Sequence, residues 1–558
     1  MTQKKRSADV ESKGSHVEIN RFRRILNVVK IAGRDKLLLV VLAFSFLVHA
    51  PFLLSFAFFS DESVYTYAAY AISKGVLPYS QIFLAHPPVG FLALTPVVSL
   101  GNGSLLIVRI FYLCLLLALA TISYQWFRVL RNSGSWPFSP VAGAALLALY
   151  PIPFSLSTPL QFLIFDILLV LGLVFFTKGL LEKSNRQFGL SGLLLGVALM
   201  DWYPAIFVGV SLVGFLLFYE LKKSHRSLRI ALEHIIALVI GGGISIVTIL
   251  GIVWGWAGLD NFLLQTVTLQ STIRNYVPIG VRLRHIESAV RGLLPMIVLA
   301  TAGGLETIWR AKRTGDRLGL LPLWLLTTNF IFLSTIPRVV LDHYFDYLTP
   351  FLAYLGSASI AKLSKALWST RRPKSSNPPR MDFYHSVLAL SMIAMVALVP
   401  YTSQYTLSFP TNPYTLAEMT VAQYVSEITE PGDLIWTSEG AIAYFASRLI
   451  QAPNSSRWPF QGIYNDIFNA SFLDQDGILQ RGFNLVSTSQ FISAWETHAT
   501  KVLVFILGSG PIPYPDEFLW YGFPGEQGVE FWVTQNYELT VTFTFQNVSY
   551  FYLVWVRE

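Results

Sequence analysis

Asp61 and Glu62 stand side by side just beyond the first long apolar run, at the head of a segment reading SDESVYTYAAYAISKGVLPYSQIFLAHPPVGFLALTP. Carboxylates next to hydrocarbon are costly unless they have work or partners, so this segment is the first place to look for chemistry. The other polar residues of chemical interest are His86, Arg109, Asp166, Asp201, Arg338, Asp342, His343 and Asp346. They fall near corresponding ends of apolar runs, so they define one face of a membrane and not a pathway through its middle. Arg109 and Asp166 each sit about one turn inside a run, where they can flank a cavity open to the outer leaflet. The pattern points to an enzyme working at the outer membrane face.

The surroundings follow from composition. With 558 residues, 53% hydrophobic and 13% charged, and a mean hydropathy of +0.51, the chain has too little polar surface to coat a soluble globule. Several runs, such as Lys36–Phe59, Leu105–Phe127 and Ile230–Trp256, reach the roughly 20 residues that cross a bilayer. Lys36–Phe59 follows a polar, basic segment and is too long for a signal core, so it reads as a signal anchor. A single cysteine, Cys114, excludes an internal disulfide framework and a cysteine metal site, and is expected to be a packing residue. The formal charge of +8 does not indicate nucleic acid, because Lys and Arg concentrate in segments that alternate with the apolar runs.

Eleven spans are predicted near 37–58, 104–127, 137–153, 161–177, 189–202, 204–220, 232–256, 289–309, 318–336, 346–363 and 383–401. With a cytoplasmic N-terminus, the segments 1–36, 128–135, 178–188, 221–230, 310–317 and 362–381 lie inside and hold 29 of the 41 Lys and Arg. Residues 189–220 read either as two short helices meeting at Pro204 or as one kinked helix, and one helix would put the C-terminus inside. The sequons at Asn102, Asn454, Asn469 and Asn547 all fall outside in the eleven-span arrangement.

The organisation is a basic cytoplasmic segment 1–36, a membrane domain 37–401 with an external loop 59–103, and a soluble extracytoplasmic α/β domain 402–558. That last part carries 15 acidic and 5 basic side chains. Within it LAEMTVAQYVSEITE has helical periodicity, PGD is a turn, and LIWTS, KVLVFIL, ELTVTFTF and SYFYLVWV read as strands. In the external loop, Tyr65, Ala68, Ala69 and Ile72 recur at helical spacing, as in an amphipathic helix lying along the interface. Lys74-Gly75 stops it, and His86-Pro87-Pro88 stiffens the chain before it re-enters apolar surroundings.

Taken together, Asp61-Glu62, Gly75-Val-Leu-Pro78-Tyr79, His86-Pro87-Pro88, Arg109 and the later Arg338, His343-Tyr344 and Pro350 resemble the GT-C superfamily of membrane glycosyltransferases. The likeness is to the protein O-mannosyltransferase and lipid A aminoarabinose transferase branch. The resemblance implies a polytopic α-helical GT-C-like fold and transfer of a sugar, mannosyl or another hexosyl, from a dolichyl or other polyprenyl phosphate to a protein, lipid or glycan acceptor. It implies inversion with Asp61, beside Glu62, as the general base that takes the acceptor hydroxyl's proton; the phosphate departs unprotonated. Arg109, whose fork suits phosphate oxygens, is the first choice for the donor phosphate, with Arg338 and His343 second. His86, Asp166 and Tyr344 complete the expected substrate-binding set, and Tyr65, Tyr79 and Trp202 are candidate sugar contacts. Asp201-Trp202-Tyr203 departs from the family pattern, in which many relatives carry a lysine.

No P-loop or Rossmann glycine fingerprint appears, in keeping with a lipid-linked donor. No cofactor is assigned: a divalent metal is compatible with the carboxylates, but no dedicated ligand spacing exists. The blander alternatives are specific too. Asp61-Glu62 can act as first-turn acids behind an N-capping Ser60, and Arg109 can snorkel to headgroups. Asp166 can simply pair with an arginine, YFDYLTPF can form an interfacial aromatic belt, and Arg282 and Arg284 can be lipid-facing charges of an external loop 257–291. The competing functions are an oligosaccharide transferase of the same superfamily and a secondary transporter, although the repeats and midplane polar residues expected of a transporter are not evident. A bacterial or archaeal plasma membrane is the expected location, since no endoplasmic-reticulum retrieval signal is evident.

Overall fold

The computed structural model describes residues 35–54, 60–82, 84, 86–101, 104–132, 139–149, 159–220, 226–268, 279–336, 342–371, 413–437, 440–447, 449–450, 495–496, 500–508, 527–544 and 550–557. The predicted span 383–401, the segment 1–34 and Arg338 lie outside the described residues, as do the side chains of Asp61, Asp342 and His343.

The membrane part is built from α1 (Lys36–Leu54), α2 (Ser60–Ser73), α3 (Val89–Leu100), α4 (Leu105–Asn132), α5 (Pro140–Leu149), α6 (Pro159–Glu182), α7 (Asn185–Leu199) and α8 (Ala205–Glu220). It continues through α9 (Arg226–Ala257), the short α10 (Leu259–Leu263), a π-helical turn Leu264–Thr268, α11 (Ile279–Thr314) and α12 (Leu321–Thr335). A 3-10 helix Asp342–Leu348 then leads into α13 (Thr349–Arg371). Among the described residues, five stretches are long and apolar enough to cross a membrane: Leu105–Asn132, Leu163–Glu182, Leu228–Ala257, Arg282–Thr314 and Leu318–Thr335. Helices stand at every predicted position up to 346–363, and 189–220 is two helices separated by a turn at Met200–Pro204.

Local chemistry explains the ends and the lateral ties. Asp35 caps α1 by accepting the Leu37 N–H at 3.1 Å, and its other carboxylate oxygen takes the Tyr124 hydroxyl at 2.5 Å, which fastens α1 to α4. Inside the bundle several polar side chains tie helices together, as favoured in a medium without water. The Trp126 indole donates to Thr177 Oγ1 at 3.1 Å, joining α4 to α6. Asn329 on α12 donates to Ser211 Oγ on α8 at 3.3 Å and accepts from the Tyr347 hydroxyl at 3.3 Å.

Three expectations are corrected. The helix α2 is not interfacial: Tyr65, Tyr67, Ala68, Ala69, Tyr70 and Ala71 are all buried, because α3, α6 and a helix from the C-terminal part pack around it. The residues Arg282 and Arg284 do not belong to a loop but to the first turns of α11, where Arg282 donates to the carbonyl of Ser334. Cys114 is exposed on the surface of α4 and does not pack inside.

The C-terminal part contains α14 (Pro413–Ile428), β1 (Leu434–Thr437), α15 (Gly440–Phe445), β2 (Leu449–Ile450), β3 (Val502–Gly508), α16 (Gln527–Asn536), β4 (Glu538–Thr544) and β5 (Tyr550–Val556). Its mixed sheet runs β2-β1-β3-β5-β4: β1 lies parallel to both β2 and β3, while β5 lies antiparallel to β3 and β4. Val502, Leu503 and Val504 of β3 and Val554 of β5 are fully buried, as suits central strands.

Candidate active site

The helix α2 starts at Ser60, so Asp61 and Glu62 occupy its first turn, and it stops before Gly75, whose φ of 91° ends the helical path. Glu62 is more than a first-turn acid. Its carboxylate accepts both arms of the Arg109 guanidinium, from Nε to Oε1 at 3.0 Å and from Nη2 to Oε2 at 3.0 Å. Both side chains are only 2% exposed. Arg109 therefore does not snorkel to headgroups; the Nε–Nη2 edge of its guanidinium is taken by a carboxylate. The pair pins the first turn of α2 to the first turns of α4.

Asp166 lies about two turns after the start of α6 and is 3% exposed. Its electrostatic neighbours are Asp201 and Tyr347, and its Oδ1 has no hydrogen-bond partner within the protein. Asp201 works at the start of α3. The Gly90 N–H lies near the Asp201 carboxylate, and the Val89 N–H donates to the Met200 carbonyl at 3.1 Å, so the Met200-Asp201 turn caps α3 from outside that helix. A Cβ at Gly90 would lie 2.8 Å from Asp201 Oδ1, which is why glycine follows Val89.

Aromatic rings wall this region. Trp202 meets Phe165, Tyr344 and Tyr347 edge to face at 5.2, 5.3 and 5.7 Å. The 344–351 aromatics are thus interior: Tyr344 is 9% exposed, and Phe345 and Tyr347 are 1% and 0%. They do not form a belt, because the 3-10 helix turns Tyr344 and Tyr347 toward Trp202 and Phe345 toward Phe330 of α12.

The connection from α2 to α3 is held from a distance. Tyr79, at φ 61°, donates its hydroxyl to the His86 carbonyl at 2.9 Å. Gln265, fully buried in the π-helical turn, accepts the Leu84 N–H at 3.0 Å and donates to the Tyr79 carbonyl at 2.7 Å. Half-buried His86 lies with its ring 5.9 Å from that of Tyr65. Sequence reasoning missed Gln265, although a π-helical turn is itself a mark of functional segments.

Beside this assembly, an apolar groove of about 490 Å³ runs between α11, α12 and α13, lined by Leu293, Ile297, Leu305, Leu326, Phe330 and Phe345 among others. The 3-10 helix Asp342–Leu348 is the shared wall: Phe345 and Leu348 face the groove, while Tyr344 and Tyr347 face Trp202. Among the described residues no group of three or more His, Cys, Asp or Glu side chains is arranged to hold a metal ion.

No protein-family model matches the chain, and no curated protein matches it significantly in sequence. Solved structures do match. ArnT from Cupriavidus metallidurans bound to undecaprenyl phosphate superposes with a TM-score of 0.60 at 12% identity, covering 92% of this chain and 97% of that one. The same protein in the apo state gives 0.57 at 12% identity, with 96% and 98% covered. The Archaeoglobus fulgidus oligosaccharyltransferase, tethered to an acceptor peptide containing the NVT sequon, gives 0.51 at 14% identity over 85% of this chain and 69% of that one. The chain has a GT-C-like fold.

Proposed function

We propose that this protein is a membrane glycosyltransferase. It moves a sugar from a polyprenyl phosphate to a protein, lipid or glycan acceptor at the external membrane face, with inversion. Asp61 takes the acceptor proton as the acceptor oxygen attacks the anomeric carbon, and the bond to the carrier phosphate breaks with its electrons leaving on the phosphate. The observation that carries this reading is the buried Glu62–Arg109 fork, which immobilises the helical turn bearing Asp61. A general base must be held within hydrogen-bond reach of the proton it removes, and a locked neighbour does that.

Three further features support the reading. The GT-C-like fold is shared with a protein crystallised with undecaprenyl phosphate. The groove between α11, α12 and α13 is apolar, as a polyprenyl tail demands, and Phe345 and Leu348 of the 3-10 helix that carries Tyr344 line it. Half-buried His86 lies next to α2 for the carrier phosphate, with Arg338 and His343 as further candidates, while Arg109 takes the role of a positioning residue. In this reading 37–401 is the membrane domain with catalytic loop 59–103, and 402–558 is extracytoplasmic. The packing of α15 on α2 supports a common side for loop and C-terminal part, as an odd number of spans requires.

The test is transfer by purified protein in lipid, supplied with radiolabelled polyprenyl-phosphate hexoses, a polyprenyl-linked oligosaccharide and membrane acceptors. Asp61→Asn should lower kcat by about 10²- to 10⁴-fold, the usual worth of a general base, while the protein stays folded. If folded wild type transfers from none of these donors and binds none, the reading falls.

A further inference from the structure

Glu62, Thr66 and Tyr70 recur every fourth residue on α2 and so form one stripe along it. Such a polar stripe, buried throughout, needs partners from elsewhere: Glu62, Thr66 and Tyr70 are 2%, 0% and 8% exposed. One end is gripped by Arg109, and Tyr112, three residues further along α4, lies against Thr66. The other end is covered from a part of the chain more than three hundred residues away. Tyr444 of α15 sets its ring edge-on to Tyr70, at 5.9 Å and 89°, and is itself 2% exposed. It also lies within electrostatic reach of Glu62 and Tyr112. Burial, then the Glu62 carboxylate and Tyr70, push the Tyr444 phenol above its usual range, so it remains a neutral dipole beside the ion pair.

The helix α15 bridges its own sheet and the membrane part. It is a six-residue helix directly after β1, and it touches β1, β2 and α14 on one side and α2 on the other. Seating it excludes water from the Glu62–Arg109 fork, and an ion pair is held more tightly where water is absent.

We infer that the C-terminal α/β unit is a positioning element of the candidate active site, with Tyr444 as the positioning residue that clamps α2 and thereby the turn that carries Asp61. The catalytic consequence rests on the glycosyltransferase reading; the clamp itself does not. An undocked unit leaves α2 covered on one side only and the Asp61 turn mobile, so docking sets the fraction of molecules ready for transfer.

The experiment is hydrogen exchange on the full chain in lipid nanodiscs, comparing wild type, Tyr444→Ala and Tyr444→Phe, with kinetics on the same preparations. Tyr444→Ala should speed amide exchange in residues 60–73 by roughly 2- to 10-fold, the scale of one lost aromatic pair. The β3 amides should keep their protection, showing that the sheet remains folded. Tyr444→Phe keeps the ring and should restore most of the protection. In the transfer assay Tyr444→Ala should lower kcat with the donor KM held, and Tyr444→Phe should recover most of the loss. Should Tyr444→Ala unfold the sheet, Tyr444→Leu, which fills the space without an aromatic edge, replaces it. Unchanged exchange in 60–73 with a folded sheet overturns the clamp. Faster exchange in a protein whose wild type transfers from no carrier upholds the clamp and overturns the glycosyltransferase reading instead.

Discussion

Glu62 and Arg109, 47 positions apart in the chain, meet through two parallel 3.0 Å contacts with almost no exposure to solvent. Breaking such a pair from one side leaves the other charge buried, which costs about 3–5 kcal/mol, whereas removing both can be nearly neutral. Glu62→Gln and Arg109→Met should therefore each lower the unfolding midpoint in detergent sharply, and the double variant should lose much less than the sum. Simple additivity in this cycle would show that the two side chains do not act as a unit.

The Gln265 clamp predicts a defect in a different part of the loop. Gln265→Leu withdraws one partner from the Leu84 N–H and one from the Tyr79 carbonyl, each worth about 1–3 kcal/mol when buried. Limited proteolysis between residues 74 and 88 should accelerate, with the rest of the chain resistant. Gln265→Asn, one methylene shorter, should behave like the leucine variant because it cannot span both partners; full protection in it would exclude a two-ended clamp.

The groove makes a length-dependent prediction. Thr301→Trp fills space lined by Ile297, Leu305 and Phe330. If the carrier tail lies there, displacing a few methylenes should raise the donor KM by about tenfold or more, at about 0.8 kcal/mol per buried CH₂. A truncated carrier too short to enter the groove should be unaffected. Equal effects on long and short carriers would remove the groove from the donor site.

In the C-terminal sheet, burial is the main reason the Tyr537 phenol, which donates to the Thr500 carbonyl at 2.7 Å, is pushed up to about 12 from 10.0. Above pH 10 the unfolded chain gives up this proton while the folded one keeps it, so the folded state binds more protons and its stability falls with rising pH. The loss should run from about pH 10 to about pH 12 and then level off. Circular dichroism melts should show a steeper loss over this range in wild type than in Tyr537→Phe; parallel curves would refute it.

Much of the helical scaffold is legible along the chain because lengths of apolar sequence set it locally. Leu105–Asn132 and Arg226–Ala257 are readable from hydropathy alone, and the end of α2 from Gly75. The strands at 434–437, 502–508, 538–544 and 550–556 follow from runs of β-branched and aromatic residues. The burial of α2 was not legible: its tyrosines and alanines have the same spacing on a lipid surface as inside a bundle, and only its neighbours distinguish the two. Tyr344 and Tyr347 misled in the same way, since an aromatic cluster near a membrane edge has one composition whether it faces headgroups or Trp202.

The adjacency of Asp61 and Glu62 and their place after the first apolar run belong to the sequence by itself, because each depends only on order along the chain. That Glu62 takes Arg109, that Gln265 holds Leu84 and Tyr79, and that Tyr444 reaches Tyr70 were decided only in three dimensions. Helices in lipid gain little from hiding apolar surface against one another, so shape and the few polar pairs select which faces meet. Those pairs join residues far apart in the chain, and no local window contains both partners.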